Sequence, residues 1–260
     1  MKLIFFDVDG TLIGNRGQIL EESTKKAICK ARENGHICIV NTGRTWKMVG
    51  NWLPKQAPFD GYLLGCGTTA RYRGEVLWHR AFSKEQSRRI IASLERHGID
   101  ALLEGDEENY TKKLTELHTK TFRDHIAVRY HRECRDWEEV YGRFDKFFLY
   151  AGDRQQMADF RQEFQRELLF IDREHGFWEV MPIDCSKSLG MKRLADALGI
   201  SMADTVAVGD SNNDSEMLQC AGISIAMGNA IEAIKDMADY VTTDVMADGI
   251  WNALAWLGVI

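Results

Sequence analysis

The sequence predicts an α/β protein, in which a doubly wound parallel sheet carries an inserted α+β module. Short apolar runs alternate with amphipathic helical segments in the first third of the chain, and the same alternation returns after residue 182. Such alternation is typical of a parallel sheet flanked by helices. Of the 260 residues, 45% are hydrophobic, which excludes a disordered chain and supplies a sizeable core.

The first third of the chain alternates strands and helices. Residues 3–6 (LIFF) form a continuous apolar run, as expected of a strand that is buried on both faces. Residues 21–34 have helical spacing, and Gly35 favours a helix end there. Further strands are predicted at residues 36–40 and 62–64, with another amphipathic helix between them.

Residues 83–182 differ from both flanks. Ser83 and Gln86 fit a capping box that opens a helix. The other elements predicted in this segment are a helix at 155–167 and strands at 126–130, 147–150, 168–172 and 177–181. The parallel-sheet pattern then resumes with a helix at 187–198 and a strand at 205–208. We therefore predict a catalytic domain formed by residues 1–82 and 183–260 and an inserted α+β domain formed by residues 83–182.

Charge, hydropathy and cysteine spacing exclude several classes of protein. The formal net charge of −6 gives no basic platform for nucleic acid. No apolar run approaches the roughly 18 residues that a membrane helix needs, and the N-terminus lacks a signal-peptide core. The six cysteines have neither zinc-site nor disulfide-framework spacing. We expect a cytoplasmic monomer or weak homodimer without nucleic-acid or membrane partners.

Polar side chains follow three of the predicted strands. These segments are residues 7–12 (DVDGTL), 42–44 (TGR) and 209–214 (GDSNND). Each segment taken alone has a plain explanation as a turn, a helix N-cap or an Asx-turn. In an open parallel sheet, however, ligands bind beyond the carboxyl ends of the strands. Three such ends in one sheet predict a shared crevice.

Four carboxylates would meet in this crevice and repel one another. They belong to Asp7, Asp9, Asp210 and Asp214. Two carboxylates about 4 Å apart repel by roughly 4 kcal/mol at an effective dielectric constant of about 20, so the cluster needs protons or a cation. Oxygen ligands suit Mg²⁺. Lys187, at the start of a predicted helix, is either a fixed cation for this crevice or an ordinary solvated lysine.

In this order, residues 7–11, residues 42–44, Lys187 and residues 209–214 resemble the four motifs of the haloacid dehalogenase-like hydrolase superfamily. The insertion between the second and third motifs resembles the Cof-type branch, which has a Rossmann-type core and a C2-type cap that selects the substrate. The resemblance covers nearly the full chain. Its first motif and the GDxxND pattern are specific, whereas the lone threonine and lysine carry weight only in this order.

The resemblance implies a Mg²⁺-dependent phosphatase. Asp7 would be the nucleophile that forms an aspartyl-phosphate, and Asp9 would protonate the leaving oxygen and then activate water. The side chains of Asp7 and Asp210 and the main-chain carbonyl of Asp9 would hold the metal, with Asp214 as a partner of Lys187 or of a metal-bound water. The phosphoryl oxygens would be bound by Thr42, Gly43, Lys187 and Asn213.

The predicted function is hydrolysis of a small phosphorylated metabolite, with a sugar phosphate as the first candidate. A phosphomutase would use the same intermediate on Asp7 but return the phosphate to a bound sugar. A non-catalytic ligand sensor would keep the fold, but the intact Asp7 and Asp9 argue against it. The chain departs from the family at residues 66–68 (CGT), where many Cof-type members have Asn-Gly-Ala; we interpret Cys66 as structural or substrate-shaping.

Overall fold

Two units of the chain each contain their own β-sheet. The computed structural model describes residues 1–14, 17–129, 134–137, 140 and 142–260. The first unit comprises residues 1–44, 48–79 and 186–260, and the second comprises residues 45–47 and 80–185. The first unit is therefore built from both ends of the chain.

The described residues form fourteen strands and nine α-helices. The strands are β1 (Leu3–Phe6), β2 (Ile37–Asn41), β3 (Gly61–Leu64), β4 (Thr69–Tyr72), β5 (Glu75–His79), β6 (Asp100–Glu104), β7 (Asn109–Thr111), β8 (Cys134–Asp136), β9 (Lys146–Tyr150), β10 (Leu168–Asp172), β11 (Phe177–Pro182), β12 (Thr205–Gly209), β13 (Ile223–Ala226) and β14 (Tyr240–Val241). The helices are α1 (Glu22–Glu33), α2 (Trp46–Val49), α3 (Lys84–Arg96), α4 (Lys120–Arg129), α5 (Arg154–Phe164), α6 (Lys187–Ala197), α7 (Ser215–Cys220), α8 (Glu232–Lys235) and α9 (Gly249–Trp256). In the described part of the chain, no helix combines the length and apolarity that crossing a bilayer requires.

The sheet of the first unit confirms the predicted α/β fold. Among the described residues it has eight strands in the order β14-β13-β12-β1-β2-β3-β4-β5. All pairs from β14 to β3 are parallel, whereas β4 and β5 add an antiparallel hairpin at one edge. The side chains of β1 are fully buried, as its continuous apolar run predicts. This central strand carries the first candidate motif at its carboxyl end.

The helices of the first unit mostly follow the sequence pattern. Helix α1 buries Ala27, Ile28 and Ala31 on one face, which is the spacing that predicted it. The helix expected after residues 42–44 is present as α2, a single turn of four residues. Helix α6 begins at Lys187, where the sequence placed its start.

The second unit has a mostly antiparallel sheet with helices on both faces. Within the described residues its six strands have the order β10-β11-β9-β6-β7-β8. Helices α3 and α5 share one hydrophobic core with this sheet, around Phe147 and Phe160. Helix α4 packs on the opposite face through Phe122 and Ile126. Ser83 caps α3 in the predicted capping box with Gln86.

One strand predicted in this unit is wrong. Residues 126–129 of the expected strand at 126–130 belong to α4, and residue 130 lies outside the described residues. The buried carboxylate of Asp100 accepts hydrogen bonds from the main-chain N–H groups of His118 (2.8 Å) and Thr119 (2.8 Å), just before this helix. This contact, made by the first residue of β6, stabilises the start of α4 and cannot be recognised from the sequence of the helix itself.

Candidate active site

Three neighbouring strands bring the candidate residues to one edge of the sheet. Strand β1 lies between β12 and β2, and all three run in parallel. Asp7 directly follows β1, Thr42 follows β2 and Asp210 follows β12. The main-chain N–H of Asp7 donates to the carbonyl oxygen of Val208 at 3.0 Å, so the strand pairing continues into the first motif. The carboxyl ends of these strands therefore meet, as the sequence predicted.

A cluster of three carboxylates lies at this edge. Among the described residues, side-chain oxygens of Asp7, Asp210 and Asp214 lie within 4.8 Å of one another. Asp7 and Asp214 are buried, and Asp210 is partly buried. The hydroxyl of Thr11 donates to Asp210 Oδ1 at 3.1 Å. The main-chain N–H groups of Asp210 and Ser211 donate to Asp214 Oδ2 at 3.1 and 3.2 Å. Hydrogen bonds from Thr11 and from the main chain thus fix the carboxylates of Asp210 and Asp214.

Lys187 supplies a buried positive charge to this cluster. Its Nζ lies 2.6 Å from Asp7 Oδ1 and 2.6 Å from Asp214 Oδ1, and 2% of its side chain is exposed. Lys187 is the first residue of α6, whose N-cap Ser186 accepts a hydrogen bond from the N–H of Leu189. A cation at a helix N-terminus is disfavoured by the helix dipole, so the two carboxylates must stabilise it. The solvated-lysine alternative is therefore wrong.

The electrostatics of the cluster favour the uptake of a proton or a cation. Burial, followed by repulsion from Asp214, raises the pKa of Asp7 to about 8. The same two causes raise the pKa of Asp210 to about 7. Burial opposes the charge of Lys187, but Asp214 and Asp7 outweigh it and raise its pKa. The lysine therefore stays charged, and the remaining acidic oxygens form a donor set that fits Mg²⁺.

Asp9 has a different environment from the other acidic residues. Its side chain is 59% exposed and accepts two hydrogen bonds from Arg44, from Nε at 2.8 Å and from Nη2 at 2.5 Å. Of the four carboxylates expected to meet, those of Asp7, Asp210 and Asp214 lie within 4.8 Å of one another, whereas the Asp9 side chain is not part of this cluster. The contact with Arg44 was not predicted, although Arg44 lies in the second motif.

The predicted phosphate-binding residues occupy the loops around the cluster. Thr42 is buried, and its hydroxyl accepts a hydrogen bond from the N–H of Arg44 at 3.1 Å; Gly43 lies between these two residues. The side-chain NH₂ of Asn41, just before Thr42, donates to the carbonyl oxygen of Lys187 at 3.1 Å. The end of β2 thus lies beside the start of α6.

Asn213 is oriented by a neighbour in the fourth motif. Its side-chain Oδ1 accepts a hydrogen bond from the Ser211 hydroxyl at 2.5 Å. With its oxygen engaged, the amide has its NH₂ group for donation to an anion. The sequence predicted the role of Asn213 but not the orienting contact, because a serine in a polar loop has no distinctive pattern.

Cys66 lies beside the second motif and Lys187. Its side chain is buried and its φ of 57° is unusual for a residue other than glycine. Its N–H donates to the carbonyl oxygen of Thr42 at 3.0 Å, and Cys66 lies near enough to Lys187 to interact with it electrostatically. Its interpretation as a structural or substrate-shaping residue stays a prediction.

Gly10 allows the first motif to turn close against the fourth. Its φ is +85°, and a Cβ at this position would lie 2.2 Å from Asp210 Oδ2. A side chain here would require the Asp210 carboxylate to move. The positive φ and this close approach both favour glycine at position 10.

Comparison with known proteins identifies the family that the four motifs resemble, over nearly the whole chain. A family model described as haloacid dehalogenase-like hydrolase matches residues 4–254. The chain is 27% identical over 256 residues to 5-amino-6-(5-phospho-D-ribitylamino)uracil phosphatase YcsE of Bacillus subtilis, covering 98% of this chain and 94% of that protein. It is 27% identical over 277 residues to pyridoxal phosphate phosphatase YbhA of Escherichia coli, covering 97% and 98%.

A solved structure shows the same architecture. BT1666 of Bacteroides thetaiotaomicron, described among phosphatases of the haloalkanoate (HAD) enzyme superfamily, matches with a TM-score of 0.87 and 26% identity. The match covers 100% of this chain and 96% of that one. The relatives found by sequence and the solved structure are therefore all described as phosphatases.

Proposed function

This chain belongs to the haloacid dehalogenase-like hydrolase family, as its four motifs predicted, and is a phosphatase; we propose that it hydrolyses a small phosphorylated metabolite through an aspartyl-phosphate on Asp7. The observation that carries this proposal is the placement of Lys187 between Asp7 and Asp214, beside Asp210. A carboxylate held by a buried cation at the end of a central strand is suited to nucleophilic attack on a phosphoryl group.

In the first half of the proposed reaction, an Asp7 oxygen attacks phosphorus while the bond from phosphorus to the leaving oxygen breaks. Asp9 gives its proton to the leaving oxygen. Because Arg44 donates hydrogen bonds to both carboxylate oxygens of Asp9, we propose that Asp9 leaves Arg44 before it acts as an acid. The exposure of the Asp9 side chain permits such a movement.

In the second half, Asp9 takes a proton from water, and this water attacks the phosphorus of the intermediate. The bond between the Asp7 oxygen and phosphorus breaks, which releases inorganic phosphate and restores the free carboxylate. Throughout, the hydroxyl of Thr42, the N–H of Gly43, the ammonium of Lys187 and the amide of Asn213 would bind the phosphoryl oxygens and stabilise the charge that develops on them.

We propose Mg²⁺ as the metal of this site. Asp7, the main-chain carbonyl of Asp9 and Asp210 would hold it, and Asp214 would hold Lys187 in place. The ion would neutralise charge on the phosphoryl group and on the clustered carboxylates. The raised pKa values of Asp7 and Asp210 support this assignment, because burial and repulsion from Asp214 disfavour their ionised forms more than Lys187 favours them.

Within this class of substrate, we propose a sugar phosphate. Relatives that match the full chain are named for phosphorylated metabolites, one with a phosphoribityl group and one with a phosphorylated pyridine. Residues 83–182 would form the domain that selects the substrate, as the sequence predicted. A cytoplasmic location and a monomeric or weakly dimeric state stay predictions.

Asp7→Asn tests the proposed nucleophile. We expect the variant to keep its fold and to lose phosphate release from p-nitrophenyl phosphate and from a panel of phosphorylated metabolites, because an amide cannot form the acyl phosphate. The measurement is phosphate release with excess Mg²⁺. Activity close to that of the wild type would exclude Asp7 as nucleophile.

Two controls complete this experiment. Excess chelator should abolish wild-type activity and Mg²⁺ should restore it, whereas full activity in chelator would exclude the metal. Incubation with a hexose 1-phosphate should release inorganic phosphate. Formation of the hexose 6-phosphate instead would indicate a phosphomutase.

A further inference from the structure

The loop after β13 contacts the segment that carries Asp210. The N–H of Met227 donates to the carbonyl oxygen of Gly209 at 3.0 Å, and the N–H of Ile231 donates to the carbonyl oxygen of Asp210 at 3.1 Å. Two main-chain hydrogen bonds thus attach residues 227–231 to the strand end on which Asp210 lies.

Asn229 connects the same loop to the first motif. Its side-chain NH₂ donates to the carbonyl oxygen of Gly10 at 2.7 Å. Its side-chain oxygen accepts a hydrogen bond from the N–H of Val245 at 2.9 Å. Asn229 is an exposed residue, and such side chains are ordinarily solvated, yet both polar ends of this one are engaged by main-chain groups.

The position of Gly10 matters for the spacing of the acidic residues. Gly10 lies three residues after Asp7 in the chain, and it is so close to Asp210 that a Cβ on it would lie 2.2 Å from Asp210 Oδ2. A shift of Gly10 would therefore change the separation between the Asp7 and Asp210 loops. Mg²⁺ demands a nearly ideal arrangement of oxygen ligands, so a variable distance between Asp7 and Asp210 would weaken its binding.

We propose that Asn229 is a positioning residue for the metal site: by joining the Gly10 loop to residues 227–231, which in turn hold Asp210, it fixes the distance between Asp7 and Asp210. This inference rests on the proposed role of Asp7 and Asp210 as Mg²⁺ ligands. It assigns to Asn229 no contact with the metal or the substrate. Its effect should appear in the affinity for Mg²⁺.

Asn229→Ala removes both hydrogen bonds, and Asn229→Leu removes them while keeping a similar side-chain volume. A matched control is Asn252→Ala, which also removes an asparagine hydrogen bond in the first unit, from Nδ2 to Thr243 Oγ1 at 2.8 Å. Mg²⁺ binding is measured by isothermal titration calorimetry without substrate, on the full chain. We expect both Asn229 variants to bind Mg²⁺ about 10-fold to 100-fold more weakly than the wild type, and Asn252→Ala to bind like the wild type.

Other results would overturn the inference. Asn229→Leu that binds Mg²⁺ as tightly as the wild type excludes the positioning role. An equal loss of affinity in Asn252→Ala shows a general loosening of the unit, which also excludes it. A wild-type chain that binds no Mg²⁺ refutes the metal of the proposed function itself, so the two failures are distinguishable.

Discussion

At the scale of single residues, Asp7 and Asp210 make the metal-free protein sensitive to pH. Their pKa values rise from 3.8 to about 8 and about 7 in the folded chain. Between about pH 4 and about pH 8 the folded state therefore binds more protons than the unfolded state, and stability falls as the pH rises. With chelator present, we expect the melting temperature to decrease from about pH 5 to about pH 8, as measured by calorimetry.

Asp7→Asn and Mg²⁺ serve as comparisons for this pH dependence. The variant lacks one of the two titrating carboxylates, so its decrease should be smaller. Saturating Mg²⁺ should flatten the wild-type curve, because the ion replaces the protons. A wild-type melting temperature that falls no more steeply than that of Asp7→Asn would contradict the explanation.

Asp9→Asn should separate the two halves of the reaction. p-Nitrophenolate leaves without a proton, so formation of the intermediate should persist with p-nitrophenyl phosphate, while its hydrolysis loses the base. We expect a burst of p-nitrophenol close to one equivalent of enzyme, followed by turnover about 10²-fold to 10⁴-fold slower than in the wild type. Rapid mixing measures the burst. Unchanged steady-state turnover would remove Asp9 from the mechanism.

The sequence predicted the residues of the site better than their contacts. Asp7 and Asp210 could be placed together because strand ends meet at one edge of a parallel sheet, whereas Lys187 joined them only through the order of the four motifs. The hydrogen bonds from Arg44 to Asp9 and from Asn229 to Gly10 join residues that are 35 and 219 positions apart. No local pattern marks such pairs, so they could not be predicted.

At the scale of helices and strands, a continuous apolar run made some buried strands predictable, whereas β6, which is buried along its length but contains Asp100 and Glu104, was missed. Strand β1 matches its predicted bounds because a strand buried on both faces needs a continuous apolar run. Strand β5 was missed; it lies at the sheet edge, and Val76 and Leu77 within it are 48% and 43% exposed. An edge strand is not required to have a recognisable burial pattern.

The two serine N-caps give a prediction about helix starts. Ser83 caps α3 in the second unit, and Ser186 caps α6, which begins with Lys187. Substitution of either serine by alanine should destabilise its unit by about 0.5–2 kcal/mol in urea unfolding. Only Ser186→Ala should also lower kcat, because it loosens the helix start that positions Lys187. Equal kcat values for both variants would contradict this link.

At the scale of the whole molecule, a cluster of buried charged side chains contributes to the stability of the second unit. In the second unit, Lys146 Nζ lies 3.0 Å from Glu104 Oε2 and also contacts Glu179, and all three side chains are buried. Burial opposes ionisation of Glu179, but Lys146 and Arg173 outweigh it and lower its pKa to about 2. Removing the central cation would leave buried negative charge, so Lys146→Met should destabilise this unit by about 3–5 kcal/mol.

Calorimetry can test whether the units unfold separately, because proteins of several units often depart from two-state unfolding. We expect two transitions, one lowered by Lys146→Met and the other raised by Mg²⁺. Lys113→Met, which removes a lysine that is 69% exposed, should change stability by no more than about 0.5 kcal/mol. A single transition that is lowered by Lys146→Met and raised by Mg²⁺ would contradict separate unfolding.

The pairing of β1 with β12 has a consequence for biosynthesis. Residues 3–6 align with residues 205–208, so the central strand acquires its second neighbour only after most of the chain has left the ribosome. A nascent polypeptide that stops before this point exposes an apolar strand edge, which is a substrate for chaperones and proteases. If Lys187, Asp210 and Asp214 act as proposed, catalysis cannot begin in incomplete translation products, because these are among the later residues to be made.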